Sequence, residues 1–150
     1  MKTIAIALAA AMLAGTALAA PPPAAIAPKV ISGWGWNVMA LEAQKAWYAD
    51  KLGMKQVGVY SREGKVFEYI MAFGERGSGP ILALLASPER KPGPSTAGRL
   101  ILIVPDSKAL SEHLVKEGVP TRLVAPGAYF FADPEGNPIE IYTPPAPAKS

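Results

Sequence analysis

Glu140 is the residue whose setting most clearly implies chemistry. It lies in Pro138-Ile139-Glu140-Ile141-Tyr142, which follows Tyr129-Phe130-Phe131 and the run Asp133-Pro134-Glu135-Gly136. Aromatic and β-branched residues on either side of a Pro/Gly turn read as two strands joined by a tight connection. Strand alternation puts Glu140 and Tyr142 on one face and Ile139 and Ile141 on the other. A carboxylate at the centre of such a strand is costly to bury unless it is ion-paired, hydrogen-bonded or bound to a metal. Its partner therefore decides what this position can do.

Few other residue types offer chemistry. The chain has no cysteine, so it can form neither a disulfide nor a thiolate metal site. Its one histidine, His113, falls in a predicted helix and reads as a solvated residue; a 2-His-1-carboxylate site cannot be built in one chain from one histidine. Gly77-Ser78-Gly79 precedes a predicted strand rather than a helix, so it reads as an ordinary loop and not a phosphate cradle.

Positioning Glu140 requires a folded domain, and the ends of the chain are not part of it. Lys2, the apolar stretch 4–13 and Ala17-Leu18-Ala19 have the order of a secretory signal peptide, assigned to residues 1–19. The apolar stretch is too short to span a bilayer, and no other membrane segment is read. An Ala/Pro-rich linker is assigned to 20–29, the domain to 30–143 and a Pro-rich tail to 144–150. The expected location is periplasmic or secreted. Without Lys2 the side chains carry a net charge of +2 against +3 for the whole chain, too weak and too scattered to argue for nucleic acid.

Within the domain, the pattern predicts a strand over 34–39, a helix over 41–52 stopped by Gly53, and strands over 56–60, 65–73 and 81–86. A connector rich in proline and glycine follows over 89–98. The order then repeats: a strand over 99–104, a helix over 107–116 with Asp106 as N-cap and Gly118 as stop, and strands near 121–124, 129–131 and 138–142. Gly53 and Gly118 stand 65 residues apart, and the first strand of each half is offset by a similar distance. This is a duplicated α+β architecture. Two βαβββ modules related by a pseudo-dyad would form a curved mixed sheet with helices outside and a central groove.

The sequence resembles the vicinal oxygen chelate superfamily, the group of glyoxalase I, bleomycin-resistance proteins and extradiol dioxygenases. The resemblance spans roughly residues 32–142 and rests on Trp47-Tyr48-Ala49-Asp50-Lys51-Leu52-Gly53-Met54, on Asp133-Pro134-Glu135-Gly136-Asn137-Pro138-Ile139-Glu140-Ile141 and on the duplicated order. It implies a metal site with one ligand from the first strand and one from the last strand of each module. Carried over, those positions are Gly33, Ala83, Arg99 and Glu140, and only Glu140 keeps a ligand chemistry. No metal or other cofactor is expected. If those positions face the groove as the resemblance implies, the Arg99 guanidinium takes the place of the ion and is expected to form a bidentate pair with Glu140. That pair would either orient a small ligand or simply satisfy the carboxylate. Asn37 shares parity with Gly33 and Gly35 and is expected to face the groove. Trp34 and Trp36 have the opposite parity and are expected in the core. Tyr129, Phe131 and Tyr142 are candidates to line the groove; the other parity of their strand would turn Phe130 inward instead.

These readings point to an exported glyoxalase-like domain that binds a small organic molecule through Asn37, Arg99, Tyr129, Phe131, Glu140 and Tyr142. The alternative is a metal-dependent lyase or isomerase of the glyoxalase I type, with lactoylglutathione-lyase-like activity and a non-standard or dimer-completed metal site. A homodimer is compatible with either. The mature N-terminus is expected at Ala20, and intact-mass measurement of the exported protein checks it.

Overall fold

Both halves of the chain fold in the predicted order. The computed structural model describes residues 31–95 and 98–145; the expected signal peptide and linker and residues 146–150 of the expected tail lie outside these. The first half contains β1 (Gly33–Val38), α1 (Leu41–Leu52), β2 (Lys55–Arg62), β3 (Lys65–Ala72) and β4 (Ile81–Ala86). The second contains β5 (Leu100–Ile103), α2 (Ser107–Lys116), β6 (Arg122–Ala125), β7 (Ala128–Ala132) and β8 (Pro138–Tyr142). The strands form two four-stranded sheets of the same internal order, β1-β4-β3-β2 and β5-β8-β7-β6. In each sheet the first and last strands of the module run parallel and the other neighbours antiparallel. This is the α+β arrangement of two βαβββ modules, with the mixed sheet divided into two hydrogen-bonded halves among the described residues.

Local chemistry sets the helix ends. Gly53 takes the left-handed conformation at φ 69°, and its N–H and that of Met54 donate to the carbonyls of Ala49 and Tyr48 at 3.0 and 3.2 Å. A side chain with a Cβ would resist that backbone, so the glycine ends α1 where it does. At α2 the Asp106 carboxylate accepts from the Ala109 N–H at 2.9 Å and caps the helix as expected.

Alternation fills the core. Trp36 and Val38 of β1, Tyr69 and Met71 of β3 and Leu82 and Leu84 of β4 join Tyr48 of α1 in one buried cluster. Leu114 of α2, Phe131 of β7 and Ile139 and Ile141 of β8 belong to the same cluster, so the two modules share apolar packing. Trp34 has the expected parity but is not a core residue. It stands near the start of β1, 41% exposed, with its ring edge-on to Trp36 at 6.0 Å.

α1 departs from a simple amphipathic helix. Its fully buried residues are Gln44 and Tyr48, whereas Leu41 and Leu52 are only partly buried. The reason is the turn between β7 and β8, which crosses from the second module onto α1. Asp133, 5% exposed, accepts from the Tyr48 hydroxyl at 3.0 Å, from the Asn137 amide at 2.7 Å and from the N–H groups of Glu135 and Asn137 at 2.9 Å each. With its amide oriented to satisfy both ends, Gln44 donates to Asp133 and accepts from the Glu135 N–H, each at 3.2 Å. Burial, and then the adjacent Asp133 carboxylate, push the Tyr48 phenol well above its ordinary pKa, so it remains a donor at any ordinary pH.

Two residues further on, the Glu135 carboxylate binds the backbone that leads into α1, whose N-cap residue, Ala40, makes no side-chain cap of its own. It accepts from the Met39 N–H at 2.8 and 2.9 Å, from the Ala40 N–H at 2.9 Å and from the Arg90 guanidinium. Burial alone would raise the Glu135 pKa, but these donors outweigh it and hold the group below 4.5, its ordinary value. A carboxylate at a helix N-terminus also meets the positive end of the helix dipole.

Removing Asp133 leaves several buried donors unpaired, so Asp133→Ala is expected to lower unfolding stability by about 3 kcal/mol in denaturant titration. The depressed Glu135 pKa makes its contribution complete above pH 4.5; that contribution is lost as pH falls through the lower folded-state value. Glu135→Gln should therefore flatten the acid limb of the stability curve while costing stability near neutrality.

Candidate functional site

One face of the second sheet gathers the charged and aromatic candidates. Its ladders place Ile101 of β5 opposite Glu140 of β8, Glu140 opposite Phe130 of β7, and Phe130 opposite Arg122 of β6. These residues form a row across the sheet. Arg99 precedes Ile101 by two residues, just before β5, and its Nε donates to the Glu140 carboxylate at 2.5 Å, a single contact in place of the expected bidentate pair. The Glu140 side chain is 14% exposed and that of Arg99 49% exposed, so the pair sits at the boundary between sheet and solvent. The Arg99 guanidinium also lies 5.5 Å from the centre of the Phe130 ring, and that of Arg122 lies 5.9 Å from the same centre. Tyr142 shares the Glu140 face through the alternation of β8 and is partly exposed.

The register corrects two candidates. Tyr129 pairs with Ile141 and Phe131 with Ile139, which places both aromatics on the opposite face of the sheet. Phe131 is 6% exposed and packs 6.3 Å from Trp47 of α1. Phe130 is therefore the aromatic beside Glu140. The central Phe-Phe step offers an apolar side chain to either face, so local alternation could not choose between the two parities; only the pairing with β8 does.

Asn37 stands on the first sheet, opposite Leu85 and exposed. Its carbonyl oxygen accepts a long hydrogen bond, 3.4 Å, from the Ser87 hydroxyl. Among the described residues no hydrogen bond joins it to Arg99 or Glu140. On the face it shares, Gly35 pairs with Ala83, Ala83 with the buried Ile70, and Ile70 with Gly58, while its own row continues through Leu85 to Glu68 and Tyr60. A side chain at Gly35 would have room, but a Cβ at Gly33 would fall 2.5 Å from the Ile81 carbonyl oxygen.

The two sheets correspond in strand order and in the parallel pairing of their first and last strands. Gly35 meets Ala83 as Ile101 meets Glu140, and Gly33 and Arg99 each stand two residues before. Gly33, Ala83, Arg99 and Glu140 thus hold equivalent positions in the two modules. Gly33 and Ala83 supply no donor and Arg99 supplies a permanent cation, so this set does not fit a divalent metal. Among the described residues, no three His, Cys, Asp or Glu side chains gather closely enough to hold one.

Neither of two cavities in the described residues is lined by Arg99 or Glu140. One, of about 330 Å³, is lined mainly by apolar residues that include Met54, Phe73, Ile81, Leu100 and Ile103. Another, of about 560 Å³, lies at the β2–β3 hairpin between Arg62, Lys65, Phe67 and Pro88. Sequence reasoning passed over Arg122, and no local signal marked it, because its place beside Phe130 follows only from the β6–β7 pairing. Asp133 and Glu135 read as turn residues; their reach to α1 is likewise invisible in the local sequence.

The likeness to known proteins agrees with this geometry. The glyoxalase I of Leishmania major, described as trypanothione-dependent, is 20% identical and superposes with a TM-score of 0.65, covering 77% of this chain and 87% of that one. TnmS3, an antibiotic binding protein from Streptomyces sp. CB03234, is 24% identical with a TM-score of 0.64, covering 80% and 99%. A glyoxalase/bleomycin resistance protein/dioxygenase superfamily member from Sphaerobacter thermophilus is 22% identical with a TM-score of 0.60, covering 78% and 98%. At these identities the likeness shows the fold alone. No curated protein matches the sequence. The profile of the Glyoxalase/Bleomycin resistance protein/Dioxygenase superfamily, however, matches residues 35–141, and with the duplicated βαβββ topology it establishes that the chain belongs to that superfamily.

Proposed function

We propose that the protein is an exported small-molecule-binding domain of this superfamily, with a degenerate metal site whose place is taken by the Arg99–Glu140 pair. The observation that carries this reading is the 2.5 Å contact between Arg99 and Glu140 on a partly open sheet face beside Phe130. A cation already held by the carboxylate opposes a second cation at the same position. The pair leaves the two terminal nitrogens of Arg99 for a ligand, since only its Nε meets Glu140. An antibiotic binding protein among the structural neighbours supports a binding role for such a fold. Nucleic acid has no electrostatic support here, and no helix among the described residues is long and apolar enough to cross a membrane. Export rests on the signal-like residues 1–19.

The homodimer belongs to the same proposal. The faces bearing Asn37 and Glu140 expose residues such as Ile101, at 52%, and a second copy laid across them would enclose a groove. Light scattering on the mature protein is expected to give twice the chain mass.

A thermal-shift screen of the mature protein against a broad set of small organic molecules is expected to find saturable binding that Arg99→Ala weakens at least tenfold, about 1.4 kcal/mol. Parallel elemental mass spectrometry after purification with zinc, nickel and manganese should find metal well below one ion per chain. Stoichiometric metal lost in Glu140→Gln, with turnover of a hemithioacetal, would replace the binding reading with a lyase.

A further inference from the structure

The row Ile101–Glu140–Phe130–Arg122 carries more information than the ion pair within it. Arg122 has no carboxylate partner among the described residues; its guanidinium lies against the Phe130 ring. Arg99 faces the same ring while one edge of its guanidinium is bound by Glu140. Two guanidinium groups are thus held against one aromatic residue, and the face has one carboxylate to set against them. A ring positions a guanidinium without neutralising it, unlike an acid. The N–H groups of Arg122 and the terminal nitrogens of Arg99 remain as donors suited to a carboxylate or similar planar anion.

The surroundings are apolar. Ile101 is 52% exposed and Ile103 75% exposed, and alternation puts both on the Glu140 face of β5. A cationic ligand would meet two arginines and an already occupied carboxylate. A neutral apolar ligand would leave the guanidinium donors desolvated and unpaired, which is unfavourable.

Resting on the binding role proposed above, we propose that this face selects a flat, amphipathic organic anion, an aryl carboxylate in chemical class, whose ring lies over Ile101 and Ile103 and whose anionic group meets Arg122 and the free edge of Arg99. Arg122 is then the specificity-determining residue, and Arg99 shares its charge between Glu140 and the ligand.

Isothermal titration of the mature full chain with three probes tests this: 2-naphthoate, the neutral 2-naphthalenemethanol and the cationic 2-naphthylmethylamine. Naphthoate is expected to bind at least tenfold tighter than the alcohol, to weaken as salt rises, and to fall to the level of the alcohol in Arg122→Gln, with Arg122→Lys in between. Arg122 is exposed on an edge strand, so its variants should melt as the parent does, and circular dichroism checks this. Alcohol or amine binding as tight as naphthoate would overturn the anion selectivity, as would naphthoate binding indifferent to Arg122→Gln. If no naphthyl probe binds but the broad screen yields Arg99-dependent ligands without an anionic group, the ligand class fails and the binding role stands. If the screen is empty as well, both fail.

Discussion

The arrangement of this domain depends on one buried carboxylate. Asp133 is almost inaccessible to solvent, and its oxygens meet donors from the turn that contains it and from α1 in the other module. A buried charge is tolerated only when its lone pairs are satisfied, and here they are satisfied by neutral groups, not by a cation. Both demands act together: the turn must close tightly enough to present the Glu135 and Asn137 N–H groups, and α1 must be seated so that Tyr48 and Gln44 reach Asp133. Glu135 then closes the N-terminus of α1 and draws in Arg90. The second module thereby completes a helix of the first.

That linkage bears on the site. The turn governed by Asp133 leads directly into β8, and the register of β8 against β5 and β7 sets Glu140 beside Ile101 and Phe130. A one-residue slip of β8 would turn Glu140 into the core and Ile139 or Ile141 onto the open face. The apolar burial of Ile139 and Ile141 and the hydrogen bonds of Asp133 therefore select the same register. The Arg99–Glu140 pair is half exposed and a weak source of stability by comparison. It is better understood as a feature of the surface that the scaffold presents than as part of what holds the scaffold together.

The duplicated topology also explains why the two open faces differ. Equivalent positions carry Gly35, Ala83, Ile70 and Gly58 in one sheet and Ile101, Glu140, Phe130 and Arg122 in the other. In this row the first sheet has mostly small residues and the second has charge and ring; the first sheet carries its own charge and ring one row away, where the Arg76 guanidinium meets Tyr60 beside Glu68. Symmetric backbone with asymmetric side chains is a way to keep a fold while changing what a groove accepts, since the ladders need only backbone groups and the faces between them are free to vary.

Much of this was legible in the sequence. The ten elements, the helix stops at Gly53 and Gly118, the Asp106 cap and the split of β8 into Ile139/Ile141 and Glu140/Tyr142 all follow from periodicity and turn chemistry, which are local properties. The pairing of Arg99 with Glu140 came through resemblance, because it spans 41 residues and no local rule connects them. What only the tertiary structure decided were the choices that depend on a partner strand or helix. These are the turning of Phe130 rather than Tyr129 and Phe131 toward Glu140, the placing of Arg122 on the same ring, the exposure of Trp34, and the conversion of two turn carboxylates into the clamp on α1. Alternation states that neighbours lie on opposite faces; it cannot say which face is covered, because coverage is a property of what packs there.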